Sequence, residues 1–89
     1  MNSDERFYFA NLCADVLRCV KAAMQEDEER YRNSLARARR TLLAMRANNR
    51  PEAHEEGLLL VRGLQLAKMA GNLKDFEQAL NKITPHVVA

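Results

Sequence analysis

The first fifty residues contain no glycine and no proline. No position there needs a positive φ or lacks an amide hydrogen, so nothing forces the backbone out of a helix. Tryptophan is absent and aromatics make up only 6% of the chain, which leaves leucine, valine, alanine and methionine to fill a core. Long apolar runs are missing too. None exceeds four residues, as in Leu58-Leu59-Leu60-Val61, far short of the ~20 needed to span a bilayer. The opening Met1-Asn2-Ser3-Asp4-Glu5-Arg6 lacks the basic stretch and apolar run of a secretion signal. Thiols are scarce: Cys13 and Cys19 stand six apart, about 9 Å along a helix axis and on different faces. That spacing excludes a bridge between them, and free thiols fit a reducing, cytoplasmic compartment.

The groups that carry chemistry are equally sparse. His54-Glu55-Glu56 begins like a zinc-protease helix, but the second histidine that motif requires four positions on is Leu58. No Cys-x-x-Cys occurs, so no metal ligands are assigned. Glu55 and Glu56 would also repel a phosphoryl group on His54. None of the hydroxyls of Ser3, Ser34 and Thr41 lies in a nucleophile context. Gly57, Gly63 and Gly71 are too scattered to cradle a phosphate. The expectation is therefore a protein that is not an enzyme, with no catalytic residue, no metal and no cofactor.

What the chain does have is helical periodicity. Phe9, Leu12, Cys13, Val16, Val20 and Ala23 recur at i, i+3, i+4, i+7, widened by Leu17 and Met24, which predicts a helix over about 4–24. Asn2 or Ser3 can cap it. A second stripe, Tyr31, Leu35, Ala38, Leu42 and Met45, predicts a helix over about 27–47. Between them Gln25-Glu26-Asp27-Glu28-Glu29 is polar but contains no turn residue. Leu17, Met24, Tyr31, Ala38 and Met45 are moreover spaced by sevens, as in one continuous helix of about 60 Å. Two helices joined near 25–28 are favoured, with the single rod as the alternative.

Asn48-Asn49-Arg50-Pro51 is the clearest break, since proline suits a first helical position. The third predicted helix, about 51–70, is apolar over a wide arc: Leu59, Leu60, Val61, Leu64, Leu66, Ala67, Met69 and Ala70. Such a helix is expected at the structural centre, flanked on more than one side. Gly63 and Ala67 would admit a close neighbour. Gly71-Asn72 reads as a helix stop followed by a helix cap. The fourth helix then sets Leu73, Phe76, Leu80 and Ile83 on one face and ends before Pro85, with an apolar tail beyond. Residues 71–80, with Pro85 after them, faintly resemble the turn and second helix of a tetratricopeptide repeat. Phe76 and Ala79 stand in the reverse order to that motif, and no family is assigned.

The fold expected is thus all-α: one domain over 1–89, an antiparallel bundle of three long helices and a short C-terminal one. A chain of 89 residues buries only roughly 60% of its unfolded surface, so a second copy would help. Phe9, Val16, Leu17, Tyr31, Leu35, Leu42, Leu60 and Leu64 are the candidate helix-packing or dimer contacts.

Charge is distributed unevenly. Residues 26–29 are all acidic, whereas Arg30 to Arg50 holds seven arginines and no acid, although net charge is only +2. Arg30, Arg37, Arg40, Arg46 and Arg50 are candidate contacts to a partner or to nucleic acid, because arginine pairs with phosphates. At 100° per residue Arg32, Arg39 and Arg46 fall on one flank of the Tyr31 stripe, Arg30 and Arg37 on the other, and Arg40 opposite. Arginines so placed commonly lay their stems along a core edge. A single-strand binder would also interleave aromatics, and only Tyr31 is present in the segment. The expected function is a non-enzymatic cytoplasmic interaction module, an adaptor, chaperone or regulator that docks helix on helix, with a homodimer and a protein partner. The alternative is a nucleic-acid-binding regulator working through Arg30–Arg50.

Overall fold

A computed structural model describes residues 3–47 and 51–88, with side chains at 7–47 and 51–83. It holds four helices: α1 (Ser3–Met24), α2 (Glu28–Ala47), α3 (Pro51–Ala70) and α4 (Leu73–Val88). No strand occurs among the described residues. The helices gather into a bundle of 35 × 23 × 18 Å.

α1 and α2 are separate helices, and the turn between them explains why sequence left the point open. Asp27 N–H donates to Ala22 C=O at 2.8 Å and Glu26 N–H to Ala23 C=O at 3.1 Å. Those two bonds close a helix C-terminus around one left-handed residue, usually glycine. Here that residue is Glu26, at φ 59°. Asp27 then caps α2, its Oδ1 accepting the Arg30 N–H at 3.1 Å. α3 ends in the same way: Asn72 N–H donates to Ala67 C=O at 2.8 Å across Gly71, whose φ is 75°.

α1 and α3 each touch all three other helices, whereas α2 and α4 do not meet among the described residues. α3 is therefore flanked as its wide arc suggested, yet α1 is the more deeply buried. Leu12, Cys13, Val16, Cys19, Val20 and Ala22 have no exposure at all. α3 buries only Ala53, Gly57, Val61, Leu64 and Ala67. Its Leu59, Leu66, Met69 and Ala70, expected within the packed arc, face outward. The correction has a simple cause: its neighbours cover one side of α3, and its apolar arc is wider than the side they cover.

Close approach is built in at Gly57, where an added methyl would lie 2.6 Å from Leu42 Cδ2 and 2.7 Å from Leu12 Cδ2. The ring of Phe76 packs over Gly63, 3.1 Å from where a Cβ would stand. On α4 Leu80 is buried, Leu73 and Phe76 are half-buried against the core, and Ile83 is exposed. A second correction concerns Pro85. α4 does not stop before it but continues to Val88. Proline there cannot donate the backbone bond of its position, and the helix runs on through it with one bond fewer. With 16 residues, α4 is the shortest helix but comparable to the 20 of α2 and α3.

Candidate interaction surfaces

The candidate packing residues are used within the chain. Phe9, Val16, Tyr31, Leu35, Leu42 and Leu64 are buried in the core, and Leu17 and Leu60 lie half-buried against it. They pack the four helices against one another.

One group ties α2 to α3. Lys68 Nζ stands 4.3 Å over the Tyr31 ring and 3.2 Å from the Glu28 carboxylate. Burial raises the Tyr31 phenol above its ordinary 10.0, and the Lys68 ammonium opposes that shift. On the other side, the Cys19 thiol points at the Tyr31 carbonyl, 3.9 Å away. Burial, then the nearby Asp15 carboxylate, push this thiol up to about 11, while a hydrogen bond from the backbone works against them. A thiol so protonated is a poor nucleophile. Asp15 is itself buried, and Arg18 pairs with it at 3.0 Å.

The arginines of α2 fall outside the core. Arg30, Arg32, Arg37, Arg39, Arg40 and Arg46 are all exposed, and Arg50 lies outside the described residues. Arg30 is held at 4.0 Å from Asp27. Among the described residues no ion pair engages Arg32, Arg37, Arg39, Arg40 or Arg46.

Between the end of α1 and the start of α2 lies a cleft of about 620 Å³. Arg18 and Lys21 line it from α1, Arg30, Asn33, Ser34 and Arg37 from α2. Asp27 and Glu29 stand on the same wall as Arg30. Sequence alone gave no reason to group Arg18 and Lys21 with the arginines of α2, because the left-handed position of the turn that brings them together holds a glutamate rather than a glycine.

The outer face of α3 is of the opposite character. Leu59 is 65% exposed, Leu66 57% and Met69 85%, with Leu58 beside them at 47%. Leu59, Arg62, Leu66 and Met69 follow the alternating three-and-four spacing of a coiled-coil seam, which could have been read from the sequence as a second stripe. No helix among the described residues is long and apolar enough to cross a membrane, and no cluster of His, Cys, Asp and Glu there could hold a metal. In comparison with known proteins, the chain matches no family model, no curated protein and no solved structure.

Proposed function

We propose that the protein is a non-enzymatic cytoplasmic adaptor or regulator that acts as a homodimer through the outer face of α3. The exposure of Leu59, Leu66 and Met69 on one face of one helix carries this reading. Contiguous apolar patches of this kind mark interaction sites on small proteins. The occupant is a second copy. When two α3 helices pair antiparallel, Leu59 of each falls opposite Met69 of the other, and each Leu66 lies against the stem of an Arg62. A bundle of 89 residues gains most from such burial, because its own core is small. The helices of each copy run antiparallel, as the turn at 25–27 and the contact of Lys68 with Glu28 support. Two buried free thiols fit a reducing compartment.

Sedimentation equilibrium tests this. The wild type should sediment as a dimer at micromolar concentration, and L66E/M69E as a 10.2 kDa monomer with unchanged helix content. A wild type that remains monomeric across that range would overturn the proposal.

A second reading, nucleic-acid binding, is favoured by the five exposed α2 arginines that have no ion pair among the described residues. Duplex affinity would then fall with salt at a log–log slope of about −0.9 per phosphate contacted. Affinity for random duplex no better than about 10⁻⁴ M at physiological salt removes this reading.

A further inference from the structure

We infer that the cleft between α1 and α2 is a binding site for linked phosphoryl groups on a small molecule. The cleft is apart from the α3 face, and its volume of about 620 Å³ lies within the range of small-ligand sites. Four cations line it, Arg18, Lys21, Arg30 and Arg37, against the acids Asp27 and Glu29, and with Asp15 paired to Arg18 the local surplus is one positive charge. Asp27 is already engaged, accepting the Arg30 N–H as the cap of α2. Arg18 pairs with the buried Asp15 at 3.0 Å. Lys21 and Arg37 have no ion pair among the described residues and are the cations available to a ligand.

Their placement selects the ligand. Cys19 meets Tyr31 across the two helices, which sets Lys21 level with about Glu29. Arg37 is eight residues further along α2, roughly 12 Å at 1.5 Å per residue. A single phosphate brings less charge and fewer oxygens to cations spread along the cleft in this way. A chain of phosphates, whose charges are spread over several ångström, reaches both with Arg18 between them. Asn33 and Ser34, in the middle of the cleft, offer an amide and a hydroxyl as donors to its oxygens. Nucleoside triphosphates and short inorganic polyphosphates share this chemistry.

Isothermal titration calorimetry at physiological salt, with tripolyphosphate, ATP and orthophosphate, tests the site on the full chain. Tripolyphosphate and ATP should each saturate one site per chain, with orthophosphate at least about tenfold weaker, because it forfeits one or more near-surface charge contacts. K21E/R37E should weaken tripolyphosphate by about thirtyfold, two contacts at roughly a factor of five each or more. R32E/R39E makes the same change in net charge on the other flank of α2 and should leave affinity within about twofold, given screening over about 8 Å. Should the reversals perturb the fold, K21Q/R37Q must still bind more weakly than R32Q/R39Q. Equal losses in the two double variants, orthophosphate binding as tight as tripolyphosphate, or ATP binding without tripolyphosphate binding would each overturn the inference. So would the absence of saturable binding, or displacement of tripolyphosphate by a duplex that R32E/R39E weakens just as much as K21E/R37E does.

Discussion

Glu26 and Gly71 occupy the same place in two turns of the same construction, and exchanging their residue types isolates the cost of the left-handed backbone. An L-residue in that region costs roughly 1–2 kcal/mol. Glycine avoids the cost but gives back about 0.5–1 kcal/mol through its freer unfolded chain. Glu26→Gly should therefore stabilise the protein by about 0.5–1 kcal/mol, and Gly71→Ala should destabilise it by a similar amount. Neighbours add little to either estimate. Glu26 is exposed, and a methyl on Gly71 would meet nothing within 4 Å. In a domain of this size about 1 kcal/mol moves the melting temperature by roughly 4–8 °C. Thermal unfolding followed by circular dichroism should show Glu26→Gly melting above the wild type by about 2–8 °C and Gly71→Ala below it by as much. The double variant should return close to the wild type. Glu26→Gln, which keeps the strain and removes the charge, should change the midpoint far less than Glu26→Gly. A lower midpoint for Glu26→Gly would refute the assignment of strain to this turn.

Gly57→Ala sets two terms against each other. Alanine favours the helix by about 1 kcal/mol, but forcing two buried leucine methyls aside costs typically 1–3 kcal/mol. Both Leu12 and Leu42 must yield, so urea unfolding should show a net loss of about 1–2 kcal/mol, and an increase would mean the contact relaxes freely. Cys19 predicts an alkaline decline in stability. A thiol held at about 11 when folded, against an ordinary 9.0, contributes fully below pH 9 and loses that contribution as pH rises toward 11. At about 1.4 kcal/mol per pH unit, the loss is at most roughly 3 kcal/mol, and Tyr31 acts in the same direction. Cys19→Ala should flatten the fall of the urea midpoint between pH 8 and 11, and an unchanged slope would refute the link.

Where a residue type imposes its own geometry, the boundary could be read in advance. Pro51 starts α3, and Gly71-Asn72 separates α3 from α4. The first turn was hidden because its left-handed position holds a glutamate, and the two hydrogen bonds that close it around that residue are between backbone groups. Pro85 misled in the other direction, since one missing bond in a final turn does not end a helix. That the α2 arginines lie off the buried stripe followed from a 100° rotation per residue, and those among the described residues are all exposed. The outward side of α3 did not, because periodicity shows how wide an apolar arc is and says nothing about how many helices arrive to cover it. The cleft needed two helices to be placed side by side before Arg18 and Lys21 joined Arg30 and Arg37.

The deep burial of α1 has a consequence for the making of the chain. Proteins emerge N-terminus first and fold progressively as they are synthesised. α2 follows α1 across a short turn, and contacts between such near neighbours form quickly. α4, which also covers α1, begins only at Leu73. Until α4 is made, the side of α1 that it covers stands open to water and to other chains. A nascent chain halted before Leu73 would present that bare flank.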